Sequence, residues 1–254
     1  MRFEEFLVKH DIILDKKIND ICESGIYIMG ESKDPHHAES HINRIFDELD
    51  NFLIYEETID KNKLEMDVLL TSICWHDVWK SKQKQNTSIF KIIYDQIMDG
   101  RGSKRIFNKY IQDKGLSKDK AHKISYSILN HSPISYFFGF KKFFPLKTIE
   151  SIVLKDIDEL DAWSLIRFEN LKESYLGKNK LTDEKLIRVA KWWVSNVMKN
   201  ACPDYMCFDY SKQEFVKRKE KMIESIYGLW ENREKYFDKS NPKVWDMANN
   251  FLER

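Results

Sequence analysis

The sequence predicts an all-α protein, and three observations support that class. With 254 residues the chain is long enough to bury a substantial core. It contains 16 Phe, 11 Tyr and seven Trp but only eight Gly and five Pro. So few turn-forming residues disfavour an all-β fold, which needs many tight turns. Apolar residues also recur at helical spacing along most of the chain.

The first clearly marked helix is predicted from Asp34 to about Ile54. Asp34 is a typical N-cap residue, and Pro35 suits the first helical position. Its apolar side comprises Ile42, Ile45, Phe46, Leu49 and Phe52. A second helix is predicted from about Leu64 to Lys80. Its apolar side comprises Val68, Leu69 and Ile73.

Three further elements are predicted in the middle of the chain. Residues 89–98 are expected to be helical, and residues 100–103 (Gly-Arg-Gly-Ser) to form a loop. Ser117 is expected to cap a helix that stops near Pro133. The apolar side of that helix comprises Ala121, Ile124 and Ile128. After the aromatic segment 135–146, a helix is expected to carry Ile149, Val153, Leu160 and Trp163.

The C-terminal part is predicted to contain two more amphipathic helices. One is marked by apolar residues between 186 and 197, and the other is expected to begin at the capping box formed by residues 211–214. We expect residues 1–175 to form the functional core together with N-terminal helices. Residues 176–254 are expected to be helices packed on the same domain.

Charge and cysteine content limit the possible partners and compartments. The net charge of +1 gives no overall field for nucleic acid or an anionic membrane. The acidic N-terminus is unlike a signal peptide, and no apolar run approaches the roughly 20 residues of a membrane span. We therefore expect a cytoplasmic protein without a membrane partner, whose four cysteines are reduced and buried. The stretch 80–123 contains twelve Lys or Arg against four Asp. We interpret it as either a solvated helix face or a basic rim of the site that attracts phosphate.

The string from Cys74 to Lys80 (CWHDVWK) is the strongest indication of chemistry. Adjacent His76 and Asp77 can bind one divalent cation, and Lys80, one helical turn later, can contact an anion on that cation. A buried imidazole and carboxylate on an apolar helix need a partner, which a cation would supply.

Other segments offer further candidate ligands. His37 and His41 share one helix face, with His41 the better ligand and His37 placed to line the entrance. His131 continues an apolar stripe and so points inward, whereas His122 is half a turn out of phase with it. Two carboxylates, Asp158 and Asp161, share a face with Leu154 and Leu165.

The order and spacing of these residues resemble the HD superfamily of metal-dependent phosphohydrolases, over roughly residues 34–168. Residues 37–45 (HAESHINRI) look like the first motif of that family. Residues 145–162 look like its last motif, and His131-Ser132 is similar to a His-Ser pair that many members place between them. The resemblance implies an HD-domain helical bundle with a C-terminal helical extension.

The resemblance also implies a site. By position in the family motifs, the metal ligands would be His41, His76, Asp77 and Asp158. The implied cofactor is a divalent ion, which could be Mn, Fe, Co, Ni, Zn or Mg. One ion is expected instead of two, because members with two metals add two histidines and only His131 is well phased here.

Residue roles follow from the same comparison. Asp77 would orient water, Lys80 would offset phosphate charge, His131 would protonate the leaving group and Asp161 would support the ligands. Lys80, His131 and His37 would contact a small phosphorylated substrate such as a nucleotide.

Lys80 and the aromatic segment leave alternatives open. Members that hydrolyse guanosine tetraphosphate or deoxynucleoside monophosphates tend to carry Glu at the position of Lys80, so both activities are disfavoured. The lysine resembles the version in cyclic-dinucleotide phosphodiesterases, whose Gly-Tyr-Pro signature is missing here. The alternatives are a di-iron oxygenase on the same scaffold and a non-catalytic regulatory module docking through the aromatic residues 136–144. Nucleic acid also stays open as a partner.

Overall fold

The computed structural model describes residues 1–32, 39–81, 89–131, 146–175, 183–198, 201–237 and 239–251. Within these ranges the regular structure is helical and no strand occurs, which confirms the predicted all-α class. None of the described helices combines the length and apolarity that crossing a membrane requires.

The chain divides into two compact units. The first contains residues 1–162 and 206–211, and the second contains residues 163–205 and 212–254. The predicted arrangement of one domain, with a core over 1–175 and an extension over 176–254, stays a prediction. The helices of the first unit are α1 (Phe3–Lys9), α2 (Lys16–Gly30), α3 (Glu39–Tyr55), α4 (Met66–Trp75), α5 (Val78–Ser81), α6 (Ile89–Ile111), α7 (Lys118–Asn130) and α8 (Ile149–Ala162).

Helix α4 lies at the centre of the first unit. Every residue from Val68 to Trp75 is buried, so this helix is enclosed on all sides, as a helix without a polar face must be. It packs against α2, α3, α6, α7 and α8. The Trp75 indole donates to the Ile21 carbonyl at 2.8 Å, which satisfies its polar atom inside the core. The C-terminal end of α4 is thereby fixed where the His-Asp doublet begins.

The predicted single helix from Leu64 to Lys80 is wrong, because the doublet interrupts it. Helix α4 ends at Trp75, and α5 begins at Val78 after a turn formed by His76 and Asp77. The His76 ring nitrogen Nδ1 donates to the Ile73 carbonyl at 2.7 Å and satisfies a carbonyl of the last helical turn.

The predicted loop at residues 100–103 is also wrong, since these residues lie inside α6. Their glycines allow close packing rather than a turn. A Cβ atom on Gly100 would collide with the backbone of Leu129 in α7, and one on Gly102 would collide with the ring of Trp79. Glycine is therefore used here to bring α6 against α7 and α5.

Helix α3 ends at Tyr55, close to its predicted end, whereas its predicted start at Asp34 and Pro35 lies outside the described residues. Ser117 caps α7 by accepting from the Lys120 backbone N–H, as predicted. Helix α8 ends at Ala162, so Trp163 follows it. Inside α8, the buried Asp156 accepts backbone N–H bonds from Cys207 at 2.9 Å and Phe208 at 3.0 Å. These bonds anchor residues 206–211 to the first unit.

The second unit has its own apolar core. Its described helices are α9 (Leu165–Tyr175), α10 (Asp183–Trp192), a π-helical turn (Trp193–Met198), α11 (Asp209–Glu231) and α12 (Pro242–Asn249). The first three residues of α11 belong to the first unit. Ile187, Trp230, Phe237, Val244 and Ala248 form the buried cluster.

Two expectations about the C-terminal part are wrong in detail. Helix α11 begins at Asp209, before the predicted capping box, and the Ser211 side chain is buried instead of capping the helix. The backbone N–H of Tyr210, in the first turn, donates instead to the Glu56 carboxylate at 2.9 Å. The four cysteines are free, as expected, but of the four only Cys22 and Cys74 are buried, whereas Cys202 is exposed and Cys207 is half-buried.

Candidate metal centre

Four predicted ligands converge in the first unit. His41 comes from α3, His76 and Asp77 from the turn after α4, and Asp158 from α8. The Nε2 atoms of the two histidines are 3.0 Å apart. Asp77 Oδ2 and Asp158 Oδ1 lie 3.5 and 3.4 Å from the His41 Nε2 atom. Both oxygens lie 3.7 Å from the His76 Nε2 atom.

The other ring nitrogen of each histidine is held by a hydrogen bond. His76 Nδ1 must carry a proton, because the Ile73 carbonyl that it contacts at 2.7 Å can only accept. His41 Nδ1 donates to Asp161 Oδ2 at 2.8 Å. In the neutral tautomers that these bonds select, both Nε2 lone pairs face the centre.

This donor set fits a divalent cation. Two lone pairs and two carboxylate oxygens converge in a buried space, so positive charge is needed between them. Ligand atoms bound at about 2.1 Å to one cation lie about 3.0 Å apart at a right angle and about 3.4 Å apart at the tetrahedral angle. The observed separations of 3.0 to 3.7 Å match these values within a few tenths of an ångström. The His41, His76 and Asp77 side chains therefore form a group that could hold a metal ion.

Without a cation, protons on the site residues supply part of the positive charge that the carboxylates require. Burial lowers the pKa of His41, but hydrogen bonds with Asp158 and Asp161 outweigh it, so that pKa lies above its ordinary value. Burial raises the pKa of Asp158, yet hydrogen bonds with His41 and His76 hold it well below its usual range. Cation binding would therefore displace a proton from this cluster.

A second group adjoins the first and shares Asp77 with it. Asp99 on α6 and His131 after α7 bring their side chains to Asp77, and these three could also hold a metal ion. His131 Nε2 lies 3.3 Å from both Asp77 Oδ1 and Asp99 Oδ2. The Lys80 ammonium lies 3.2 Å from Asp77 Oδ1 and 2.8 Å from Asp99 Oδ2.

The charges of this second group are strongly shifted by their surroundings. Burial lowers the pKa of Lys80, but the carboxylates of Asp77 and Asp99 raise it above its ordinary value, so the ammonium stays charged. Burial also lowers the pKa of His131, and hydrogen bonds with the same two carboxylates raise it well above its ordinary value. His131 Nδ1 donates to the Ile128 carbonyl at 2.7 Å, so a proton on Nε2 is the one available for transfer.

Asp161 supports the first group from behind. Its carboxylate accepts from His41 Nδ1 and also from Arg44 Nε at 2.6 Å and Arg44 Nη2 at 3.1 Å. This bidentate pair fixes the carboxylate, which in turn fixes the His41 ring. The position agrees with the supporting role expected for Asp161.

Removing Arg44 should loosen this support. We expect Arg44→Ala to weaken Mn²⁺ binding about 10–100-fold, because a supporting carboxylate without its partner orients His41 less firmly. Equilibrium dialysis against Mn²⁺ measures the change. Arg2→Ala is the matched control, since the Arg2 side chain is exposed and pairs with Glu5 in α1, away from both groups. Equal affinities for the two variants would contradict a supporting role for Arg44.

The other predicted site residues have different outcomes. His37 lies outside the described residues, so its expected place at the entrance stays a prediction. His122 is exposed, in agreement with its predicted phase. Of the site residues, Asp158 and Lys80 retain exposures of 17% and 13%, whereas His41, His76 and Asp77 are at most 1% exposed. The centre therefore opens to solvent on the side of Asp158 and Lys80.

Three described cations of the basic stretch face away from the centre or pair with other acids. Arg101 is exposed and lies about 160° around α6 from Asp99, at 100° per residue. Lys120 pairs with Asp67, and Lys123 pairs with Glu65. Among the described cations of this stretch, Lys80 is the one in contact with the two groups.

Two important residues, Asp99 and Arg44, were missed by the sequence reasoning. Asp99, Ser103, Phe107 and Ile111 follow each other at four-residue spacing on the buried side of α6. This pattern was not recognised because a loop was predicted at 100–103. Treated as a continuous helix, the same residues place Asp99 on the buried side. Arg44 follows His41 by three residues and so shares its helix face.

Comparison of the chain with known protein families, with curated proteins and with solved structures finds no match. The function must therefore be argued from the centre itself.

Proposed function

We propose that this chain is a metal-dependent phosphohydrolase of the HD superfamily, acting on a phosphoester or phosphoanhydride of a small molecule such as a nucleotide. The observation that carries the proposal is the convergence of two carboxylate oxygens on two imidazole lone pairs. The two Nε2 atoms are 3.0 Å apart, and each oxygen lies 3.4 to 3.7 Å from them. A charged lysine and a protonated histidine beside this donor set suit an anionic substrate.

His41, His76, Asp77 and Asp158 would hold one divalent cation, with Asp77 and Asp158 supplying oxygen ligands. When bound, such a cation supplies Lewis-acid chemistry, by lowering the pKa of water and polarising a phosphoryl oxygen. Asp77 Oδ2 faces the two histidines and Asp77 Oδ1 faces His131, while the Lys80 ammonium lies 3.2 Å from Oδ1 and 3.3 Å from Oδ2. Asp77 would thus tie the position of the cation to the groups that meet the substrate.

Lys80 and His131 would act on the substrate directly. The Lys80 ammonium has three donors, and its contacts with Asp77 and Asp99 leave one for a phosphoryl oxygen. His131 Nε2 carries the proton that the leaving oxygen needs, and its raised pKa keeps that proton in place near neutral pH. Since Asp158 and Lys80 form the exposed side, a phosphate would enter there.

The test combines metal analysis with turnover. Purified protein is analysed for bound metals and then assayed with Mn²⁺ against bis(p-nitrophenyl) phosphate, p-nitrophenyl phosphate and nucleoside mono-, di- and triphosphates. We expect about one cation per chain and hydrolysis of at least one compound, abolished by chelation and restored by the cation.

Two results would contradict this function in different ways. Bound metal without turnover of any compound would favour the regulatory module, whose aromatic segment 136–144 lies outside the described residues. Two irons per chain with oxygen consumption would favour the oxygenase.

A further inference from the structure

The second group has the composition of a metal site but already contains a cation. Asp77, Asp99 and His131 place two carboxylate oxygens and one imidazole nitrogen within 4.8 Å of one another. His131 is built like His76, because each follows the end of a helix and donates from Nδ1 to the carbonyl three residues earlier. The two groups thus position a histidine in the same way, and they share Asp77.

The Lys80 ammonium contacts the same two oxygens that His131 faces. Its nitrogen is 2.8 Å from Asp99 Oδ2 and 3.2 Å from Asp77 Oδ1, and His131 Nε2 is 3.3 Å from both oxygens. A metal ion bound to those oxygens would lie at about 2.0–2.2 Å from each, within the space that the ammonium fills. It would also face a positive charge at short range in a buried setting.

The charge balance gives the same result. Asp77, Asp99 and Asp158 carry three negative charges in and around the two groups, while Asp161 is paired with Arg44. One divalent cation and the Lys80 ammonium already match the charge of the three carboxylates, before any proton on His131 is counted. A second divalent cation in addition would leave uncompensated positive charge in a buried place.

We propose that Lys80 takes the place of a second metal ion, held there by Asp99, so that this chain binds one divalent cation where its residues could otherwise bind two. The inference rests on the proposed function, since it assumes a cation at the first group. Asp99 is then a positioning residue, which acts through Lys80 and His131.

The experiment measures metal stoichiometry in three proteins. Wild type, Lys80→Met and the double variant Lys80→Met/Asp99→Asn are dialysed against Mn²⁺ and analysed for manganese per chain. Methionine has nearly the length of lysine but no charge, so it vacates the second group. We expect one manganese in wild type, two in Lys80→Met, and one again in the double variant. Lys80→Arg is the control that keeps the charge, and it should bind one.

The outcomes separate this inference from the proposed function. No manganese in wild type would overturn the proposed function, and the inference with it. Two in wild type, or one in both wild type and Lys80→Met, would overturn the inference alone.

A stability measurement tests the inference even if Lys80→Met folds poorly without metal. Because its carboxylates then repel each other, saturating Mn²⁺ should raise its Tm more than that of wild type. An equal rise in both proteins would contradict a second bound ion.

Discussion

Asp77→Asn should remove both the bound metal and the hydrolytic activity while leaving the fold intact. The amide has nearly the shape of the carboxylate, but it lacks the charge that the cation and Lys80 require. Asp77 is 1% exposed and belongs to both groups, so a water molecule cannot easily take the place of its carboxylate as a ligand. We expect metal content to fall close to zero and kcat/KM to fall by at least about 10³-fold, or about 4 kcal/mol.

Metal analysis and turnover of the best substrate, with the unfolding temperature measured in parallel, check this prediction. Asp156→Asn is the matched control, because Asp156 is also a buried aspartate of the first unit, and in the described part of the chain it pairs with Lys155 and the backbone N–H groups of Cys207 and Phe208. It should keep its metal. An Asp77→Asn protein that retains metal and activity within a few-fold of wild type would contradict the proposed centre.

Gly100→Ala should destabilise the first unit by about 1 to 2 kcal/mol. A Cβ atom there would lie 2.9 Å from the Leu129 carbonyl carbon and 3.1 Å from the Ile128 oxygen, with the Leu129 oxygen closer still. These are backbone atoms, which cannot rotate away as a side chain would. Overpacking of this kind typically costs about 1–3 kcal/mol, and the about 1 kcal/mol by which alanine favours a helix over glycine offsets only part of it.

Thermal unfolding should show a Tm lowered by roughly 2–8 °C. Gly30→Ala is the matched control in the same unit, because its nearest neighbour would be the flexible end of Glu39 at 3.9 Å. That variant should be neutral or slightly more stable. Unfolding of Gly100→Ala at the wild-type temperature would show that α6 and α7 are not packed backbone to backbone.

Local patterns predicted much of the fold and of the first group. Helical spacing identified α3, α7 and α8, and a serine before an apolar stripe correctly marked the cap of α7. Of the residues chosen for their order along the chain, His41, His76 and Asp77 form a group that could hold a metal ion, and Asp158 Oδ1 lies 3.4 and 3.7 Å from the two Nε2 atoms. These predictions depend on residues whose neighbours in the sequence reveal their direction.

The errors have the opposite cause, since they depend on tertiary contacts. Glycine usually weakens a helix, so Gly100 and Gly102 indicated a loop, whereas the structure uses them for close approach. Neither the interruption of α4 at His76 nor the capture of the Tyr210 N–H by Glu56 is visible in local spacing. Asp99 was missed for the same reason, because its importance appears only beside Lys80 and His131.

The location of a bound cation tests the central claim most directly. Crystals grown with Mn²⁺ and measured at a wavelength with strong manganese anomalous scattering would reveal it. We predict a single anomalous peak about 2.0–2.2 Å from the Nε2 atoms of His41 and His76 and from carboxylate oxygens of Asp77 and Asp158. No peak among these four side chains, or a peak elsewhere in the chain, would contradict the account.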